Sequence, residues 1–192
     1  MKKIGLTGGI GCGKTTISKI FQIIGTPIYN SDEAAKKILN QNTSVKQKIK
    51  NHFGIKVLTN NKLDNKKIAN IIFKQKEKLK IINSIIHPLV KEDFTNWCEK
   101  QKAMYIIKES ALIFNSNAYK ELDHVIFVKS PLELRIKRIQ SRDKKNEQEI
   151  FSIIKNQSSD DFLEKKCDYI ITNNEHSFLI EQVFKLHELF IK

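Results

Sequence analysis

Residues 8–15 read Gly-Gly-Ile-Gly-Cys-Gly-Lys-Thr, the pattern G-x-x-x-x-G-K-[ST] with Gly8, Gly13, Lys14 and Thr15 in the required places. Glycines let successive backbone N–H groups converge on phosphate oxygens. A lysine after the last glycine reaches the β- and γ-phosphates, and the next hydroxyl ligates Mg²⁺. The chemistry is the binding of a nucleoside triphosphate, and the loop alone does not separate a kinase from a GTPase or a motor. A second set lies in "PLELRIKRIQSRD", which holds Arg135, Arg138 and Arg142, the only arginines among 34 basic residues. In a chain that otherwise uses lysine, arginine marks places where a planar fork grips phosphate oxygens in pairs. Offsets of three and seven put the three within about 60° of one another around a helix. They form either an anion site or a solvated helix face of close neighbours.

Three carboxylates complete the list. Asp32 follows the second candidate strand, Glu109 ends the third, and Asp143 follows the arginine helix. In parallel sheets the chemistry gathers beyond the C-terminal ends of the strands. Asp32 is placed to take or orient the proton of an attacking hydroxyl, or else Ser31 or Asp32 caps a helix. Glu109 either holds water on Mg²⁺ or is an exposed strand end. His87, before Pro88, either contacts an anionic substrate or packs its helix. Cys12 either gains thiolate character from the helix start and lysine or fills a small space. Leu112, Ile113, Phe114 and Trp97 read as core.

The elements that must position these residues alternate. "KIGLT" is a short apolar strand, and "KTTISKIFQII" sets Ile17, Ile20, Phe21 and Ile24 at helical spacing, so the phosphate meets a helix N-terminus. "GTPIYNSD" reads as turn, strand and helix start. From there to about residue 102 apolar residues recur three or four apart. They predict helices over "DEAAKKIL", "SVKQKIKNHF", "DNKKIANIIF" and "KEKLKIINSII". "HPLVKEDFTNWCEK" restarts a helix with Pro88 in its first turn. This stretch is too long for a simple crossover and forms a lobe of its own. "AMYIIKES" and "HVIFVKS" are strands. The arginine helix, a polar turn and a helix through Gln157 follow, then the strand "CDYIITN" and an amphipathic helix over "SFLIEQVFKLHELF". The expected fold is α/β, a P-loop three-layer fold with a parallel sheet of about five strands, a helical lobe and a lid.

A length of 192 residues suits one such domain with an insertion. The net charge of +13 attracts polyanions, but its lysines are spread along the whole chain and mark no nucleic-acid track. No apolar run approaches membrane-spanning length, and glycines and a threonine break the stretch after "MKK" before it could act as a signal peptide. Three cysteines, far apart and without a C-x-x-C pair, suit free thiols in a reducing cytoplasm.

With these segments in order, the chain resembles the dephospho-coenzyme A kinase family. "IGLTGGIGCGKTT" is similar to that family's opening signature, and "YNSDEAAKKIL", "IIHPLV", "ALIF", "RIKRIQSRD", the Asn-Gln at 156–157 and "CDYIITNN" follow in its order. The resemblance implies transfer of the ATP γ-phosphate to the 3′-hydroxyl of dephospho-coenzyme A, with ATP and Mg²⁺ as cofactors. It implies Asp32 as catalytic base, with Lys14, Arg138 and Arg142 also catalytic. ATP contacts come from Gly8 and from Gly11, Cys12, Gly13, Lys14, Thr15 and Thr16, with an adenine contact near Asn173. Thr15 and Glu109 serve the metal, and Asp32, Lys36 and His87 serve the acceptor. The implied division is a core of 1–30, 103–134 and 159–192, an acceptor lobe of 31–102, and a lid of 135–158. The expected protein is cytoplasmic, a monomer or weak homo-oligomer, with no nucleic-acid or membrane partner. Three positions depart from the family pattern. Asn30 replaces the first aspartate of a pair, Lys36 an arginine and Asn115 a frequent glutamate. The competing readings are another small-molecule nucleoside or nucleotide kinase, or an ATPase stimulated by nucleic acid.

Overall fold

The computed structural model describes residues 1–59, 62–64, 67–68, 71–72, 75–144 and 146–192. In chain order it has β1 (Lys2–Thr7), α1 (Lys14–Ile23), β2 (Ile28–Asn30), α2 (Ser31–Gln41) and α3 (Thr43–Phe53). A short hairpin of β3 (Leu58–Thr59) and β4 (Lys62–Leu63) precedes α4 (Lys76–Glu99). Then come β5 (Tyr105–Glu109), β6 (His124–Lys129), α5 (Leu132–Asp143), α6 (Glu147–Lys155), α7 (Asp160–Lys166), β7 (Tyr169–Thr172) and α8 (Leu179–Phe190). The chain divides into two compact units, one of Met1–Asn30 with Lys100–Lys192 and one of Ser31–Glu99.

The first unit is built on a five-stranded sheet in the order β2-β5-β1-β6-β7, parallel throughout. Its central strands carry apolar residues because both faces are covered. Ile4, Leu6, Ile107, Ile126, Val128 and Ile171 close one face under Ile17 and Phe21 of α1 and Val183 and Phe190 of α8. The register levels the strand ends that matter. Asn30 of β2 and Leu6 of β1 both stand opposite Glu109 of β5, and Thr7 stands opposite Phe127 of β6. The loop at 8–13 therefore leaves the sheet beside the end of β5. Strand order reverses around β1, so this is where ligands bind in such sheets.

The second unit has its own core of Val45, Ile49, Phe53, Val57, Leu63, Ile68, Ile82 and Ile86. Here the structure corrects one expectation. No helix restarts at Pro88, because α4 runs unbroken from Lys76 to Glu99 with the proline inside it. An interior proline leaves the carbonyl four residues back without a donor and costs about 3 kcal/mol. Ile82 and Ile86 before it and Leu89 and Val90 after it pack into the same cluster, and that shared burial carries the helix through. The β3–β4 hairpin and α7 are further additions to the expected elements. Of the helix expected over 64–73, residues 67–68 and 71–72 are helical, and 65, 66, 69, 70 and 73 lie outside the described residues. Among the described residues no helix is long and apolar enough to cross a membrane.

Candidate nucleotide site

The loop after β1 is held in shape by side chains from several elements. Lys14 Nζ donates to the Gly8 and Gly9 carbonyls at 2.8 and 3.4 Å. The lysine thus lies over the concavity that its own loop encloses. Gly13, which precedes α1, sits at φ 96°, a left-handed conformation natural to glycine. The Asn173 amide occupies the space where a Cβ on Gly13 would stand, so glycine is required twice over. Asn173 is buried. Its Nδ2 donates to the Cys12 carbonyl at 2.8 Å, and its Oδ1 accepts from Arg138 Nη2 at 3.3 Å. The residue marked for an adenine contact therefore spends its amide on the loop and on Arg138. Cys12 is 1% exposed and belongs to the core beneath the loop, the space-filling role of the two foreseen for it.

Beyond the loop a carboxylate meets the first turn of α1. Glu109 Oε1 accepts from Thr15 Oγ1 at 3.1 Å and Oε2 accepts from Ser18 Oγ at 2.7 Å. At 5% exposure Glu109 is no solvated strand end. Ser18 was missed from the sequence; its signal was the spacing of three from Thr15, which puts both hydroxyls on one face of α1. A carboxylate and a hydroxyl in contact are hard oxygen donors. They fit Mg²⁺, which keeps several waters and takes one or two carboxylates plus phosphate oxygens. Thr16 is the exposed next residue of the same turn.

One helix face sends the three arginines of α5 to three different environments. Arg135 is 4% exposed and bonds through Nε to the Ile10 carbonyl at 3.0 Å, while Nη1 reaches both oxygens of Asp160 at 3.1 Å. Arg138 is partly exposed and contacts Ser130 Oγ at 3.1 Å, Asn173 and, at 3.4 Å, Glu175. Arg142 is exposed and paired with its neighbour Asp143 at 2.7 Å. That carboxylate holds the guanidinium charge more firmly and raises its pKa further. Asp143 closes α5, about 17 Å along the axis from the helix's first residue at 1.5 Å per residue.

The remaining candidates lie in the second unit. Ser31 opens α2, so Asp32 stands inside the first turn, and both Asp32 and Lys36 are exposed. Their spacing of four puts them on one helix face. The Ser31 hydroxyl is buried without a hydrogen-bond partner, so it caps nothing. His87 is half-buried in α4, and burial pushes its imidazole below the ordinary value of 6.5, so the ring is neutral at pH 7. Asn115, in the first unit, accepts from Ser158 Oγ at 3.0 Å.

A glycine loop with its lysine between the central strand and its helix, backed by a buried acid on that helix's first hydroxyl, is the arrangement of the P-loop nucleoside-triphosphate-binding proteins. The dephospho-CoA kinase family model matches residues 2–178. A dephospho-CoA kinase of Fusobacterium nucleatum is 40% identical over 188 residues, covering 97% of this chain and 95% of that protein. The solved dephospho-CoA kinase of Campylobacter jejuni is 32% identical with a TM-score of 0.67, over 98% of this chain and 96% of its own. A solved Thermus thermophilus protein reaches a TM-score of 0.89 at 22% identity, over 100% and 98% of the two chains, and shares the fold. The chain belongs to the dephospho-CoA kinase family.

Proposed function

We propose that this chain transfers the γ-phosphate of ATP to the 3′-hydroxyl of dephospho-coenzyme A, giving coenzyme A and ADP. The observation that carries the reading is the contact of the exposed Thr15 hydroxyl with the buried Glu109 carboxylate behind the Lys14 loop, hard oxygen donors beside a phosphate loop in a chain of this family. Gly8 and residues 11–16 hold the triphosphate through backbone N–H groups and the Thr15 hydroxyl. Lys14 exchanges the Gly8 carbonyl for the β- and γ-phosphates, moving its charge to the group that leaves. Thr15 and Glu109 would hold Mg²⁺, and the ion would supply neutralisation of the developing phosphate charge. Asp32 accepts the proton of the attacking hydroxyl. With Asn30 in place of a second acid, it is the one carboxylate of that segment's pair. Lys36 and His87 bind the acceptor, Lys36 as a point charge without the paired grip of arginine.

Arg138 and Arg142 belong to the lid of 135–158 and bring charge to the open side of the phosphates, where the transition state spreads it over three oxygens. Closure keeps water from taking the phosphate in the acceptor's place. Asn173 supports this site by orienting Cys12 and Arg138 beside the adenine end. The acceptor is a small molecule, and nucleic acid and membrane play no part. The working form is a cytoplasmic monomer or weak homo-oligomer.

The test is ADP release from ATP and Mg²⁺ with dephospho-coenzyme A, set against a panel of nucleosides and nucleoside monophosphates. Release driven by dephospho-coenzyme A supports the reading. Release driven by a nucleoside, or by RNA or DNA without a small acceptor, replaces it.

A further inference from the structure

Ile10, at the crest of the phosphate loop, has both backbone polar groups held by side chains far away in sequence. Its N–H donates to Gln157 Oε1 at 2.8 Å, and its carbonyl accepts from Arg135 Nε at 3.0 Å. Arg135 opens the segment 135–158 and Gln157 all but closes it. Asp160, in the first turn of α7, fixes the guanidinium from the far side through both carboxylate oxygens. The glycines beside Ile10 fit this grip. A Cβ on Gly9 would overlap the Arg135 guanidinium, and one on Gly11, at φ 79°, would come within 2.7 Å of the Arg135 carbonyl. The loop is thus glycine on both sides of Ile10 because α5 lies directly against it.

We infer that Arg135 and Gln157 are positioning residues that couple the phosphate loop to the segment between them. Both ends of that segment are anchored on one residue of the loop, through the two peptide groups that flank its Cα. A phosphate that orders the loop therefore orders the roots of α5 and α6 as well. Loss of either anchor leaves Ile10 with an unmatched polar group and frees one root. This inference rests on the loop's being the nucleotide site.

The experiment compares wild-type chain with Arg135→Lys, Gln157→Met and the double variant. Mg-ADP affinity is measured by calorimetry, and amide hydrogen exchange is followed at 9–13 and 147–155. Each single variant is expected to weaken Mg-ADP about tenfold, roughly the loss of one hydrogen bond of this kind. In Gln157→Met, ADP should still slow exchange in the loop but no longer in α6. The double variant should lose little more than the worse single one, because both anchors serve one residue; independent effects would multiply to about a hundredfold. Wild-type affinity in the single variants, retained protection of α6 in Gln157→Met, or a multiplied loss overturns the inference. Gln157 is only half-buried, so Gln157→Met keeps the test available should Arg135→Lys fail to fold. A wild-type chain that does not bind Mg-ADP overturns the functional reading instead.

Discussion

The phosphate loop and the start of α2 are built in opposite ways. Around the loop, Lys14, Glu109, Arg135, Gln157 and Asn173 are engaged with backbone or hydroxyl groups, and Glu109, Arg135 and Asn173 are buried. At the start of α2, Asp32 and Lys36 face solvent, and the one buried hydroxyl there, on Ser31, has no hydrogen-bond partner. A site that must meet the same triphosphate in every turnover gains from fixed donors, since no reorganisation is needed when charge moves. Under the proposed function, the start of α2 meets the second substrate with charged side chains that are exposed. Of the three departures from the family pattern, Asn30 and Lys36 lie at or near α2 and Asn115 lies in the first unit, while the loop is intact.

Changes at the loop should break that contrast most severely. Lys14→Ala removes the charge on the transferring phosphate, and both nucleotide affinity and turnover should fall, with kcat/KM down by about 10³-fold or more. Steady-state kinetics with varied ATP checks this. At α2 the damage should be confined to turnover. Asp32→Asn should lower kcat by about 10²–10⁴-fold while Mg-ADP binds as before. Full turnover with a lower melting temperature would make Asp32 a structural residue of α2.

Glu109→Gln sharpens the metal side. Its effect should be an increased Mg²⁺ requirement of about 10–100-fold, read from the Mg²⁺ dependence of the rate. Within α5 the expected order separates the arginines by role. Arg138→Lys and Arg142→Lys keep charge but lose the fork, and each should cost about 1–3 kcal/mol in kcat/KM. Negligible and equal losses at both would make them a solvated helix face.

The smallest effect concerns pH and the second unit. Burial holds His87 below its unfolded value of 6.5, so the unfolded chain takes up a proton that the folded ring resists. Stability from this source is present above pH 6.5 and is lost as pH falls through that value toward the folded pKa. His87→Gln should flatten the dependence of melting temperature on pH between 7 and about 5. An unchanged slope would place the acid sensitivity elsewhere.

How much of this was legible in the sequence depended on how local the cause was. The β1–loop–α1 unit was, because the glycines, the lysine and the helical spacing of Ile17, Ile20, Phe21 and Ile24 all lie within twenty residues. Glu109 was found because strand ends collect chemistry, but its burial depends on the register of β5 against β1. Helix α7 carried a local signal that was passed over, the Ser159 hydroxyl accepting from Phe162 N at 3.3 Å as a cap. Pro88 misled because local preference yields to packing on both sides of it. The grip of Arg135 and Gln157 on Ile10 was out of reach, since partners 125 and 147 residues apart leave no mark on local pattern.

The most direct test follows the phosphate itself. The chain is incubated with ATP labelled at the γ-phosphate, Mg²⁺ and dephospho-coenzyme A, and the product is analysed by mass spectrometry with fragmentation of the ribose. The account predicts coenzyme A carrying the label on the 3′-oxygen, formed one for one with ADP. Label recovered only as inorganic phosphate, or on any other acceptor position, would contradict it.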